Sequence, residues 1–283
     1  MSQYHGERPI QESERLAMSS TLPTYFLSHG GGPWPFMHDE YGAAHARLAA
    51  ALAAIPAALP EVPRAMLVVS GHWEESELAV MAHPAPPMLY DYYGFPRHTY
   101  EIVYPAPGDP TLARRVQELL RRAGFEARLD AERGYDHGAF VPLAVMYPRA
   151  EVPVVQLSLH SSLDAELHLR IGAALAPLRA EGVLIAGSGM TYHNLRLMGP
   201  EARVPSRLFD AWLAETLASA PEERRRRLIE WEEAPAARIA HPREEHLLPL
   251  HVVVGAAGED TASRIYYEEN LLGTMAVSSY RFG

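Results

Sequence analysis

Ala65-Met66-Leu67-Val68-Val69-Ser70-Gly71-His72-Trp73 opens with five apolar residues in a row, breaks at a small polar turn and delivers a histidine. A run without apolar–polar alternation suits a strand buried on both faces. The pattern recurs along the chain. Tyr25-Phe26-Leu27 ends in Ser28-His29-Gly30-Gly31-Gly32-Pro33, Val152 to Leu159 ends at His160, and Val183-Leu184-Ile185-Ala186 ends in Gly187-Ser188-Gly189 with His193 just beyond. Helical patterns lie between these runs, over residues 41–54 and 163–179. In a third, Asp109 is placed to cap a helix with Pro110 at its first position. Leu112, Val116, Leu119, Leu120 and Ala123 follow at a 3.6-residue period, and Gly124 stops it. The alternation predicts an α/β fold: a single domain over residues 21–283 with a central, mostly parallel sheet flanked by helices. Residues 1–20 are expected to form a flexible N-terminal segment. In open α/β sheets ligands bind beyond the carboxyl ends of the strands. The active site is therefore expected at the edge where His29, His72, His160 and His193 would converge.

Composition narrows the chemistry. The 283 residues carry 35 acidic and 25 basic side chains, a formal net charge of -10, the wrong sign for a protein that grips duplex nucleic acid by its phosphates. There is no cysteine, which excludes disulfide scaffolds, thiolate metal sites and thiol nucleophiles. Every basic residue is arginine, so Schiff-base and P-loop lysine chemistry are excluded as well. No apolar run reaches the roughly 18 residues of a membrane span, and the polar start has no signal-peptide core. A cytoplasmic protein with no membrane partner is expected, as a monomer or a homodimer. The Arg224–Arg227 run among glutamates reads as a solvated helix face.

The 14 histidines are the unusual item. Several of them at strand ends beside glycines favour one metal site over several isolated packing roles. Without thiolates that site is ligated by nitrogen and oxygen and suits Fe(II), Zn or Mn. A third ligand can come from His241-Pro242-Arg243-Glu244-Glu245-His246-Leu247-Leu248-Pro249-Leu250-His251, which offers three histidines and two carboxylates. Asp136-His137-Gly138 reads either as a helix cap with an incidental histidine or as a histidine projecting into the cleft.

The ordered set Ser28-His29-Gly30-Gly31-Gly32-Pro33, Ser70-Gly71-His72-Trp73, Asp136-His137-Gly138, Gly187-Ser188-Gly189 with His193-Asn194-Leu195, and Glu245-His246-Leu247-Leu248-Pro249-Leu250 resembles the class III extradiol ring-cleaving dioxygenases, in their DOPA-dioxygenase-like branch. The resemblance runs from about Thr24 to the C-terminus. It implies that His29, His72 and His246 are metal ligands, that His193 is the catalytic acid/base, and that His137 contacts substrate or dioxygen. Other class III enzymes use two histidines and a glutamate, so the resemblance leaves Glu244 and Glu245 open as ligands. It implies Fe(II) as the working metal, because zinc has no redox chemistry, although zinc is associated with this branch and can fill such a site in a crystal.

The expected reaction inserts both atoms of O2 into a catechol-type ring beside the diol and opens it to a semialdehyde. The expected partners are thus a small aromatic diol and O2. Met88 to Pro107 reads as a long excursion whose Tyr90, Tyr92, Tyr93, Phe95, His98 and Tyr100 either line an aromatic pocket or pack the loop, the latter being favoured. Trp34 and Trp73 adjoin the ligand motifs as possible walls. Arg97, Arg196 and Arg243 are candidates for a substrate carboxylate, and His160 and His251 are possible neighbours of the site. Two alternatives stand beside this reading: a zinc-dependent hydrolase on the same scaffold, and a non-catalytic binding protein.

Overall fold

The computed structural model describes residues 21–283, so the expectation of a flexible segment over residues 1–20 lies outside the described residues. Eight strands form one sheet: β1 (Thr24–Ser28), β2 (Ala65–Glu75), β3 (Leu78–Met81), β4 (Ala127–Asp130), β5 (Val154–His160), β6 (Val183–Gly189), β7 (Ala262–Leu271) and β8 (Met275–Phe282). Their order is β4-β3-β5-β2-β6-β1-β8-β7. The inner four, β5-β2-β6-β1, are mutually parallel, as expected of the apolar runs. β3 and β4 pair parallel to each other but antiparallel to β5, and the β7–β8 hairpin joins β1 antiparallel.

The inner strands are buried on both faces, and β6 shows how. Gly187 faces Pro249, while the next residue, Ser188, donates a hydrogen bond to the Gly138 carbonyl. Alternate residues of a strand point to opposite faces. The helix Leu248–Ala257 therefore covers one face, packed on β6, β1 and the helix Ala165–Leu175, and the helix His137–Met146 covers the other. Both helices are apolar almost all round, as helices inside layers must be.

Where local signals were strong, boundaries followed them. The helix Pro110–Arg122 is capped by the Asp109 carboxylate, which accepts from the amides of Thr111 and Leu112. The expected helix over 41–54 is two pieces, Glu40–Ala43 and Ala46–Ala54, and that over 163–179 divides at Pro177 into Ala165–Leu175 and Pro177–Ala180. The arginine run is only partly a solvated face. Arg225, Arg226 and Arg227 pair with glutamates, but Arg224 is buried and donates to the carbonyls of Gly258 and Asp260, just past the Leu248–Ala257 helix.

A break in β2 sets up the functional edge. Val69 pairs with Leu157 and Glu74 with Leu159, so Ser70 to Trp73 stand against a single residue of β5. Such a bulge re-aims the side chains within it. It turns His72 towards the middle of the sheet edge and carries β2 on to pair Glu75 with His160.

Candidate active site

His29, His72, His137, His193 and His246 meet at the carboxyl edge of the inner strands. His29 follows β1, and its neighbour Gly30 adopts the left-handed φ of 76° that lets the chain turn away. The Trp34 indole donates to the His29 carbonyl at 2.7 Å, bracing that turn from behind. His72 sits in the β2 bulge. His246 precedes the Leu248–Ala257 helix, and its carbonyl accepts from the Met190 amide at 3.0 Å. That approach requires Gly189, where a Cβ would lie 2.1 Å from the His246 oxygen.

The Nε2 atoms of His29 and His246 both approach that of His72. His72 Nε2 lies 3.3 Å from His29 Nε2 and 3.1 Å from His246 Nε2. Two rings are hydrogen-bonded through Nδ1, His29 to the Gly30 carbonyl at 2.8 Å and His246 to Glu245 Oε1 at 2.9 Å, and His72 Nδ1 stands 3.4 Å from Asp91 Oδ2. With the proton on Nδ1, the Nε2 lone pairs converge. Burial, followed by the repulsion of neighbouring imidazoles, holds all three well below the ordinary histidine pKa, so they are neutral at pH 7. Neutral imidazoles with oriented Nδ1–H groups are metal-ligand histidines in form. Donors about 2.0–2.1 Å from one ion in tetrahedral array stand about 3.3–3.4 Å apart, close to the two separations that His72 Nε2 makes. The donor set fits a divalent metal.

Two further histidines flank the trio, each tied by a carboxylate to one of the three. His137 opens the helix His137–Met146, and its Nδ1 lies 2.7 Å from Asp91 Oδ1. Asp91 therefore bridges His137 and His72. Burial raises the Asp91 pKa, but the hydrogen bond and charge of His137 outweigh it and the net shift is down. His193 stacks on His246, ring centroids 3.3 Å apart at 16°, with its Nδ1 3.2 Å from Glu245 Oε1. Glu245 thus bridges His193 and His246. Burial pushes its pKa up, and contact with His193 more than reverses this. Glu244 turns away to pair with Arg238 at 2.6 Å. Ligand atoms of His29, His72 and His137 lie within 4.8 Å of one another, as do those of His193, Glu245 and His246.

Asp136 is both a cap and an organiser. Its carboxylate, fully buried, accepts from the Ala139 amide, the Ser70 hydroxyl, the Gln156 amide group and Arg133. It locks the helix start bearing His137 to the β2 bulge bearing His72.

The five histidines and Asp91 floor a cavity of about 570 Å³. The Met88–Pro107 excursion divides between the two readings considered for it. Tyr92, Tyr93 and Phe95 line the cavity, whereas Tyr90, His98 and Tyr100 do not; Tyr90 donates to the Ile102 carbonyl within the loop. Four expectations are corrected. Trp34 and Trp73 do not line the cavity; Trp34 packs behind His29, and Trp73 bonds Glu75 beneath Arg133. Arg97, Arg196 and Arg243 do not line it either; Arg97 pairs with Glu101 and Arg243 with Glu74. His160 bonds Ser162 and faces a separate cavity, because the β2 bulge carries Glu75 to its side. His251 is buried, its Nε2 2.9 Å from the Leu228 carbonyl, as packing. The sequence reading missed Asp91 and the hairpin turn that supplies Leu271, Leu272 and Met275 to the cavity. Only the placement of Asp91 in the long excursion pointed its way.

The model of the family described as the catalytic LigB subunit of aromatic ring-opening dioxygenase matches residues 23–283. The chain is 40% identical over 271 residues to a 4,5-DOPA dioxygenase extradiol of Portulaca grandiflora, covering 92% of this chain and 95% of that one. It is 42% identical over 224 residues to the protein of the same name in Beta vulgaris, covering 77% and 82%. A crystal structure of an uncharacterized Escherichia coli K12 protein superposes with a TM-score of 0.75 at 31% identity, over 93% of this chain and 100% of that one.

Proposed function

We propose a division of labour among five histidines in a chain that belongs to the LigB family, the catalytic subunits of aromatic ring-opening dioxygenases. The chain is a non-haem, metal-dependent extradiol dioxygenase acting on an aromatic substrate and O2. Its relatives give no support to the hydrolase alternative. The proposal concerns which metal, which ring and which residues. His29, His72 and His246 hold Fe(II); His193 is the acid/base; His137 contacts substrate or O2; the substrate is a catechol; and the catalytic domain spans residues 21–283 in a cytoplasmic protein. The observation that supports the ligand assignment is the approach of His29 Nε2 and His246 Nε2 to His72 Nε2, with an oxygen beside each ring's Nδ1.

Bound there, Fe(II) would supply Lewis acidity towards the catechol oxygens and a redox path by which electrons of the catechol reach O2, a path that zinc lacks. The protein's own part is proton handling. With Nδ1–H directed at Glu245, the His193 Nε2 lone pair is free to take a hydroxyl proton from the catechol and later to return it to an oxygen derived from O2. Glu245 stabilises the imidazolium formed in between. His137, fixed by Asp91, keeps Nε2 available to hydrogen-bond an oxygen of the substrate or of O2. The aromatic wall of Tyr92 and Phe95 excludes water from the ring.

Anaerobic loading with Fe(II), followed by a catechol panel in air, tests the reading. A yellow semialdehyde formed with matching O2 uptake is expected; zinc-loaded protein should form none. His246→Ala should lose metal and His193→Phe should retain it while losing turnover. If Glu245→Ala or His137→Ala empties the site and His246→Ala does not, the ligand assignment is wrong.

A further inference from the structure

His193 is held in place by a segment other than its own. Resting on its reading as the acid/base, we propose that His241 is a positioning residue, a buried imidazole clasp that fixes the loop bearing His193 against the segment bearing Glu245 and His246. The two segments run side by side. The Met190 amide donates to the His246 carbonyl at 3.0 Å, the His193 amide to the Ala240 carbonyl at 2.9 Å, and Asn194 Nδ2 to the Ile239 carbonyl at 2.8 Å. Residue 190 thus meets 246 and residue 194 meets 239, the reversed order of an antiparallel pair. In the middle, His241 Nε2 lies 3.1 Å from the Thr191 carbonyl. Thr191 is gripped from the other side too, its hydroxyl oxygen accepting from the Ser278 amide of β8 at 3.0 Å.

The imidazole suits this one task. A carbonyl only accepts, so Nε2 carries the proton. His241 is buried beside Phe209 and Trp231, with ring centroids 5.1 and 6.1 Å away. Burial, joined by the neighbouring His193, holds its pKa down to about 3, so at pH 7 it is a neutral donor. Its Nδ1 has no hydrogen-bond partner among the described residues. A place that needed only volume would be filled at lower cost by an apolar side chain. His241 does not line the cavity, so it acts through the loop and not on the substrate. The geometry it guards is narrow: His193 stacks on His246 with centroids 3.3 Å apart while its Nδ1 lies 3.2 Å from Glu245 Oε1. Without the clasp the middle of the loop can draw back, whereas His246 stays anchored by Met190 at the loop's start. Proton transfer is therefore impaired before metal binding.

Three substitutions test the clasp. His241→Gln keeps an N–H at the reach of Nε2, His241→Asn ends one bond short, and His241→Leu fills the space with no donor. With Fe(II)-loaded protein and the catechol of the panel that is opened fastest, the Asn and Leu variants should lose about 10–100-fold in kcat, the order of a catalytic group displaced by up to about 1 Å. KM should stay within about twofold, and Gln should recover most of the loss. Zinc affinity should stay within about twofold of the parent in all three. In zinc-loaded protein the His193 amide should exchange with deuterium about tenfold faster in the Asn and Leu variants and at the parent's rate in the Gln variant. Denaturant midpoints of the metal-free proteins complete the comparison. A kcat that simply follows the midpoint across the variants, or a Gln variant no better than Leu, overturns the proposal in favour of packing. Zinc affinity that falls with kcat overturns it too, placing the effect on His246. If His193→Phe is inactive and His241→Leu is unimpaired, the clasp alone fails; if His193→Phe turns over like the parent, the acid/base reading fails and the clasp with it.

Discussion

Replacing Gly189 by alanine tests whether one contact between β6 and the backbone of His246 positions the metal site. A Cβ at residue 189 would stand 2.1 Å from the His246 carbonyl oxygen and 3.0 Å from its carbonyl carbon. Ordinary contact between a methyl carbon and an oxygen is a little over 3 Å, so the segment must retreat by about 1 Å. It is held where it is by the Met190 amide, 3.0 Å from that same oxygen, and the retreat would stretch this bond. The His246 ring would be carried with its backbone, opening its 3.1 Å separation from His72 Nε2. Overpacking of this kind costs about 1–3 kcal/mol of stability. Displacing one ligand of three should weaken the metal by a further about 10–100-fold, the range found when the support of a ligand is lost. The assay is paired: zinc titration against a chromophoric chelator, and the denaturant midpoint of the metal-free protein. We expect the affinity to fall more than the stability, because the strain is local to the His246 turn. Unchanged zinc affinity at any stability would refute the idea that Gly189 sets the position of His246.

Four other outcomes follow from the same geometry. His193→Phe should lower turnover by about 10²–10⁴-fold while metal content, read by elemental analysis, stays near one per chain. Asp136→Ala strands Ser70, Gln156 and Arg133 in the interior and should cost about 3–5 kcal/mol, with the midpoint in urea as the measure and Asp136→Asn as the milder control. Burial holds His168 down to about 4 and His241 to about 3, so below the unfolded value of about 6.5 the unfolded chain takes up protons that the fold refuses. Stability of the metal-free protein should accordingly fall as pH drops from about 6.5 towards 4.5, ahead of the carboxylates, and equal stability at both ends would contradict that. Asp91→Asn should weaken zinc through His72 and lower turnover through His137, whereas Tyr90→Phe in the same loop should change neither.

How much of this was legible in the chain depended on whether the signal was local. The inner strands were, because burial on both faces forces contiguous apolar residues such as Met66 to Val69. Asp109 and Pro110 fixed a helix start for the same reason: the cap needs only its own neighbours. The β7–β8 hairpin was not legible. β7 lies at the sheet edge, much of it open to solvent, and its turn at Leu272-Gly273 lacks the Asn-Gly or Asp-Gly signature. Convergence of His29, His72 and His193 followed from parallel strands, but the same rule misplaced His160, since nothing in the sequence announces the β2 bulge. Asp91 was invisible on other grounds. It lies 46 residues from His137, on a segment with no period, and only the folded excursion brings the two together.

Asp91 and Glu245 also share a logic that neither motif discloses. Each carboxylate spans one histidine of the converging trio and one histidine outside it: Asp91 joins His72 to His137, and Glu245 joins His246 to His193. A proton gained by either outer imidazole is therefore felt by the carboxylate that polarises an inner one. If His193 takes the diol's proton as proposed, Glu245 would be drawn to the imidazolium and its bond to His246 would weaken, lowering the basicity of His246 Nε2 at that moment. Under the proposed roles, the arrangement would couple proton transfer to the electron richness of the ligand set through a single side chain. It also explains why a glutamate beside His246 has a place in a site whose three converging donors are all imidazoles: it acts through two rings at once, a role open only to a carboxylate held within reach of both.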